Sequence, residues 1–184
     1  MPYLEMVEKS VKKLDGFVQN IINYYQNLKK EEIIVPVNFQ DLAQEVFGQH
    51  EHVDGSEAVD FRMTILQEGE FLADEMRLKM ILNNLISNAI KYRDEEKSQP
   101  FFELKVHSNG AQAKLEVIDN GRGIDREHLG RIFEMFYRSS ESSLGTGIGL
   151  YIVKEATEKL GGVVNAASKQ GEGATFTVEI PNRK

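Results

Sequence analysis

Apolar residues recur at Leu4, Val7, Val11, Leu14, Val18, Ile21, Tyr25 and Leu28, in alternating steps of three and four. That spacing draws a single stripe along a helix, the heptad seam of a helix that packs on another helix. Phe17 and Ile22 widen the stripe, while Lys12, Lys13, Asp15, Gln19, Lys29 and Lys30 fall off it. A stripe this wide is better buried by two or more helices than by one, so pairing with another chain is expected over packing on its own domain. Gly16 inside the helix costs about 1 kcal/mol relative to alanine.

Glu31-Glu-Ile-Ile-Val-Pro-Val37 breaks the period, and Pro36 restricts its predecessor to extended backbone. The division expected is a long dimerisation helix over 1–31, a linker over 32–37 and a folded unit over 38–184. Asn38 or Gln40 starts a short helix through Phe47, and Gly48 to Gly55 reads as loop. The period becomes two over Phe61–Leu66, a strand, and Gln67 to Glu70 turns the chain. Asp74 then precedes a helix from Glu75 to Tyr92, with Leu78, Ile81, Leu82, Leu85 and Ala89 as its apolar stripe. Strands at Phe101–His107 and Gln112–Ile118 flank Ser108-Asn-Gly-Ala, a hairpin signal. After a loop, Arg131 to Arg138 leads to a serine-rich segment over Ser139–Ser143. Ile148, Leu150, Ile152, Val153, Ala156 and Leu160 mark another helix, ended by Gly161-Gly162. Val163–Ala167 and Thr175–Ile180 are the last strands, joined by Lys169 to Gly173, and Pro181 stops the sheet. This order predicts an α+β fold: a two-layer sandwich with a mixed sheet covered by helices on one face, preceded by the long amphipathic helix.

The 184 residues, 41% hydrophobic and 28% charged, suffice for a packed core. A net charge of −7 argues against a nucleic-acid partner, whose phosphates need a basic surface. The chain has no cysteine, which excludes disulfides and thiolate metal sites and fits a reducing compartment. No stretch approaches the roughly 20 apolar residues of a membrane span, and the N-terminus lacks a signal-peptide pattern. A cytoplasmic chain without membrane contact is expected, although a parent protein could be anchored elsewhere.

Against this background three polar groups carry chemistry. Asp119 falls where a strand ends, and Gly121 and Gly123 remove side chains where a flat ligand would approach the backbone. Asn84, Asn88 and Lys91 project from one face of the helix over Glu75–Tyr92, a face suited to a metal-bound phosphate. Gly145, Gly147 and Gly149 lead into a helix whose start offers amides and a positive dipole end to phosphate. The glycine spacing is neither that of a dinucleotide fold nor that of a Walker loop. His50 and His52 form a pair with no third ligand at a telling spacing, so they read as a polar turn.

Five stretches in order, Asn84-Leu-Ile-Ser-Asn88-Ala-Ile-Lys-Tyr92, Asp119-Asn-Gly-Arg-Gly-Ile124, Ile132-Phe-Glu-Met-Phe-Tyr-Arg138, Gly145-Thr-Gly-Ile-Gly-Leu150 and Gly171-Glu-Gly-Ala-Thr-Phe176, resemble the N, G1, F, G2 and G3 boxes of sensor histidine kinase catalytic domains. These belong to the superfamily of gyrase, Hsp90-type chaperone, histidine kinase and mismatch-repair ATPases, and the match spans residues 38 to 181. The resemblance implies a Bergerat-type fold that binds ATP with Mg²⁺. By the same resemblance Asp119 accepts a hydrogen bond from the adenine amine with help from Thr175, and Tyr92, Gly121, Gly123 and Ile124 line the pocket. Asn88 ligates the metal with Asn84 nearby, and Lys91 and Arg138 offset phosphate charge. Phe133 and Phe136 anchor one end of a lid, and Gly145, Thr146, Gly147, Gly149 and Leu150 fold its other end over the triphosphate.

Gyrase-like relatives carry a glutamate one turn before the metal-binding asparagine, where it activates water. Here that position is Asn84, whose amide cannot take a proton, so transfer to an acceptor residue is expected over hydrolysis. The acceptor histidine of a sensor kinase sits on the first helix of a dimerising hairpin, yet no histidine occurs in residues 1 to 49. The seam at 4 to 28 resembles the second helix of that hairpin. The implied partners are a second copy of the chain through residues 4–28, the acceptor helix of the parent kinase and a response regulator receiver domain. The alternatives are a serine kinase of the anti-sigma-factor type and a non-catalytic nucleotide-binding scaffold.

Overall fold

The computed structural model describes residues 7–8, 11, 15–16, 18, 21–22, 31–51, 53, 55–139 and 146–183. Those between 7 and 22 are helical. Val7, Val11 and Val18 on the seam are 59, 60 and 43% exposed, so their own chain leaves them uncovered. Leu4, Leu14, Phe17, Tyr25 and Leu28 lie outside the described residues.

From residue 31 onward the elements are β1 (Ile34–Pro36), α1 (Phe39–Gly48), a 3₁₀ turn (Ser56–Ala58), β2 (Asp60–Gln67), β3 (Leu72–Asp74), α2 (Glu75–Lys91), β4 (Phe101–Ser108), β5 (Gln112–Asp119), α3 (Arg126–Leu129), α4 (Gly149–Lys159), β6 (Val163–Lys169) and β7 (Gly173–Pro181). Both longer N-terminal starts are capped by the residues the sequence offers. The Asn38 side chain accepts from the amides of Gln40 and Asp41 at 2.9 and 3.3 Å, opening α1. The Asp74 carboxylate accepts from the Arg77 amide at 3.1 Å and pairs with its guanidinium at 2.5 Å, opening α2.

The main sheet has strand order β2-β4-β5-β7-β6, with β2 and β4 parallel and the other neighbours antiparallel. Alternation along the strands sends Phe102, Leu104, Val106, Leu115, Val117, Phe176, Val178 and Ile180 to one face, all buried. Helices α1, α2 and α4 cover that face with Leu42, Val46, Leu78, Ile81, Leu82, Leu85, Val153 and Ala156. The opposite face holds Thr64, Lys105, Glu116, Thr177 and Glu179, with Lys105–Glu103 and Lys114–Glu116 ion pairs at 3.2 and 2.9 Å. The layered arrangement is the one the alternation predicts.

The segment read as a linker is part of the fold. β1 pairs antiparallel with β3, Ile34 opposite Asp74 and Pro36 opposite Leu72. The Ile33 amide donates to the Asp74 carboxylate at 3.3 Å, and Glu32 pairs with Arg183 at 3.3 Å. The Gln67 side chain donates to the Val37 carbonyl at 2.8 Å and accepts from the Phe39 amide at 3.0 Å. Pro36, which lacks an amide hydrogen, is tolerated because this ladder has only two strands and each is an edge.

Candidate nucleotide-binding site

The site is assembled where the C-terminal ends of β5 and α2 meet the start of α4. Asp119 is the last residue of β5, on the helix-covered face with Val117. One carboxylate oxygen accepts from the Gly121 amide at 2.8 Å and the Ala174 amide at 3.3 Å. Burial pushes this carboxyl above the ordinary aspartate range; those two amide bonds and then the charge of Lys97 act the other way.

Two glycines let the surrounding backbone close in. A Cβ on Gly121 would stand 2.5 Å from the Tyr92 carbonyl oxygen, and one on Gly173 would stand 2.0 Å from the Asp119 carbonyl oxygen. Gly173 also has φ of +111°, which side chains with a Cβ rarely adopt. The Arg122 amide donates to the Tyr92 carbonyl at 3.0 Å, so the loop after Asp119 is stitched to the end of α2.

Along α2, Asn84, Asn88 and Lys91 share a half-buried face. The Asn84 amide nitrogen donates to the Met80 carbonyl at 2.8 Å, and its oxygen lies 3.0 Å from where a Cβ on Gly149 would be. Glycine at 149 thus lets α4 begin against Asn84. No side chain caps the start of α4, leaving its first-turn amides turned toward this corner. Burial first, and the neighbouring charge of Arg138 second, hold the Lys91 ammonium below its usual pKa. Lys91 and Arg138 lie close enough for their charges to act on one another, and an anion between them would offset that repulsion. The donor set suits a Mg²⁺–triphosphate: an amide oxygen for a hard cation, and cations and amides for phosphate.

The lid residues part company. Phe133 packs on the core, edge-on to Phe176 with centroids 6.5 Å apart. Phe136 is 53% exposed with φ of 65°, and its amide donates to the Gly147 carbonyl at 2.9 Å. Its side chain thus stands outside the core, and it is its backbone that is tied to Gly147. Gly147 has φ of +74°, and a Cβ there would meet the Phe136 carbonyl carbon at 2.7 Å. Ile124 and Leu150 pack on the core, and Thr146 is half-buried. Gly145 and His52 lie outside the described residues. His50 Nε2 donates to the Asn83 side-chain oxygen at 3.0 Å, and among the described residues there is no metal-ligating cluster.

Thr175 is misplaced in the sequence reading. In the β5–β7 register Asp119 faces Ala174, whereas Thr175 faces Ile118 and, across β6, Ala167. Cross-strand partners share a face, so the Thr175 hydroxyl projects from the helix-free side, away from Asp119. The residue beside the carboxylate is Ala174.

Three residues escape a reading of the sequence. The Asn120 side chain accepts from the Phe101 amide at 2.8 Å and donates to the Gln99 carbonyl at 3.0 Å, tying the Asp119 loop to β4. The Ser168 hydroxyl accepts from the Ile124 amide at 2.8 Å and donates to the Gly173 carbonyl at 2.6 Å. Lys97 reaches the carbonyls of Asn120 and Gly171. Lys97 and Asn120 also line a cleft of about 470 Å³ with Arg62 and Phe101, which belongs to the helix-free side rather than to the Asp119 pocket.

Residues 73–184 match the family described as histidine kinase-, DNA gyrase B-, and HSP90-like ATPase. Sensor histidine kinase GacS of Pseudomonas protegens is 30% identical over 193 residues, covering 98% of this chain and 21% of its own length. The chain thus spans about a fifth of that curated relative. Full-length ShkA in complex with AMPPNP superposes with a TM-score of 0.78 at 26% identity, over 98% of this chain and 38% of that one. The catalytic domain of histidine kinase ThkA gives 0.69 at 26% identity, over 82% of this chain and 98% of the other. With the family match covering most of the folded unit and a shared sheet-and-helix architecture, the chain belongs to the histidine kinase-, gyrase- and HSP90-like ATPases and carries a histidine kinase type of ATP-binding catalytic domain.

Proposed function

We propose that this chain binds Mg²⁺-ATP between Asp119 and Lys91 and passes the γ-phosphoryl group to a histidine it does not itself contain. The observation that carries the reading is the corner where α2, the Asp119 loop and the start of α4 converge, with an acid at one end and two cations at the other. Asp119 accepts from the adenine amine, its position fixed by the Gly121 and Ala174 amides. Tyr92 borders the base. Lys91 and Arg138, with the amides of the α4 start, take the phosphates. Asn88 would hold the Mg²⁺, which would supply positive charge against the phosphates.

Asn84 stands where a water-activating carboxylate would be needed, and its amide is engaged by the Met80 carbonyl. Hydrolysis therefore lacks a base. In transfer, an imidazole nitrogen of the acceptor bonds to the γ-phosphorus, the bond to the bridging oxygen breaks, and ADP leaves with its electron pair. The imidazolium proton goes to solvent. The uncovered stripe of Val7, Val11 and Val18 supports residues 4–28 as one helix of a dimerising bundle that presents the acceptor helix of a parent kinase. A receiver-domain aspartate is the next acceptor, and ATP supply places the reaction in the cytoplasm.

The test mixes this chain with γ-labelled ATP and a separately supplied acceptor-helix hairpin. Acid-labile, alkali-stable phosphate on the hairpin is the expected result. Acid-stable label, or ATP binding with no transfer, would sink the histidine kinase assignment.

A further inference from the structure

We infer that Lys97 is a positioning residue of the nucleotide site, joining the two loops that flank Asp119 and so holding its carboxylate toward the pocket. The inference rests on the nucleotide reading above and deepens it. The Lys97 ammonium lies 2.5 Å from the Asn120 carbonyl, 2.9 Å from that of Gly171 and 3.5 Å from that of Gly121. An ammonium has three donors and no acceptor, and here all three are directed at main-chain oxygens. Asp94, Glu95 and Glu96 are close in sequence, yet among the described residues Lys97 forms no ion pair. Carbonyl dipoles converging on one point repel each other, and the ammonium at that point offsets the repulsion.

The bridged loops are the two that donate to Asp119. Asn120 and Gly121 continue directly from it, and Gly121 supplies one amide to its carboxylate. Gly171 lies in the turn that leads to Gly173, packed on the Asp119 carbonyl, and to Ala174, which supplies the second amide. The turn is also tied back to the first loop, because the Gly171 amide donates to the Arg122 carbonyl at 2.7 Å. Lys97 closes this ring from outside. Its charge is one of the influences that oppose the burial of Asp119 and favour the ionised carboxylate an adenine amine requires.

The full chain is compared with Lys97→Met, Lys97→Gln and Lys97→Arg, with melting curves confirming that each folds. In nucleotide-free protein, amide exchange at 120–122 and 171–174 should quicken in Lys97→Met and stay slow in Lys97→Arg. Titration with ADP at neutral pH should show affinity about tenfold weaker in Lys97→Met, the size expected for losing hydrogen bonds to a charged group. In Lys97→Met and Lys97→Gln the acid limb of ADP binding should move to higher pH. Unchanged exchange and affinity in Lys97→Met overturns the inference, as does an equal loss at every pH shared by Lys97→Arg. Absence of ADP binding by the wild-type chain would overturn the nucleotide reading instead, and the exchange comparison would still decide whether Lys97 joins the loops.

Discussion

Replacing Asp119 with Asn keeps the shape of the side chain and removes its charge. The Asn oxygen can still accept from Gly121 and Ala174, which the native carboxylate engages through one oxygen at 2.8 and 3.3 Å. Its second terminal atom then becomes an NH₂ group, turned toward the adenine amine, donor against donor. Losing a hydrogen bond to a charged acceptor costs roughly 1.5–3 kcal/mol, and stranding the amine costs roughly 1–3 more. A combined loss of about 3 kcal/mol or greater weakens binding by about 150-fold. Stability moves the other way. Burial raises the folded-state pKa of Asp119, so the folded chain holds that proton more tightly than the unfolded chain and loses stability as pH rises through this window. At neutral pH the ionised group is a net burden, and Asp119→Asn should melt no lower than the native chain. Calorimetry with ATP and with inosine triphosphate provides the assay, since the latter carries a carbonyl where adenine has an amine. The variant should lose ATP while gaining on the inosine analogue. Native affinity for ATP in a folded variant, or equal losses for both nucleotides, would refute adenine recognition by Asp119.

Other outcomes follow from the same geometry. Nucleotide binding should weaken as pH rises through the lowered pKa of Lys91; Arg138→Gln should carry that limb to higher pH, and an unmoved limb in titrations would separate the two cations. With the Lys91 pKa depressed, the unfolded chain binds more protons, so the free protein gains stability as pH rises from that depressed value to 10.5, checked by melts of native chain against Lys91→Met. Gly173→Ala should lose about 3 kcal/mol or more in urea unfolding, because its Cβ would sit 2.0 Å from the Asp119 carbonyl oxygen at φ of +111°. Asp74→Ala removes both the cap of α2 and the carboxylate paired with the Arg77 side chain, which is 4% exposed, and should cost roughly 3–5 kcal/mol in urea unfolding.

Long elements are readable from the sequence because burial follows the same period as the residues. In β2 every second residue from Phe61 to Gln67 turns to the core, and in α2 Leu78, Ile81, Leu82, Leu85 and Ala89 form the predicted stripe. Asn38 and Asp74 announce their helices through local cap chemistry. β1 and β3 are three residues each, too short for a period to show. Within the site, Asp119 and its glycines are visible because turn chemistry is local. Alternation alone puts Asp119 on the apolar face with Val117 and Thr175 on the opposite face from Phe176 and Val178; only the direct pairing of Asp119 with Ala174 needs the register between β5 and β7. Lys97 is hidden for a different reason: its carbonyl partners at Asn120 and Gly171 lie 23 and 74 positions away, and main-chain oxygens carry no residue signature.

The ladder between Ile34–Pro36 and Leu72–Asp74 fastens the segment ahead of α1 to the foot of α2. Glu32 is tethered to Arg183 and Ile33 to the cap of α2, so the bonded unit that includes the nucleotide corner starts at Glu32 rather than at Asn38. A displacement of residues 32 to 36 must therefore break these bonds or act directly on Asp74, the start of the rod that carries Asn84, Asn88 and Lys91.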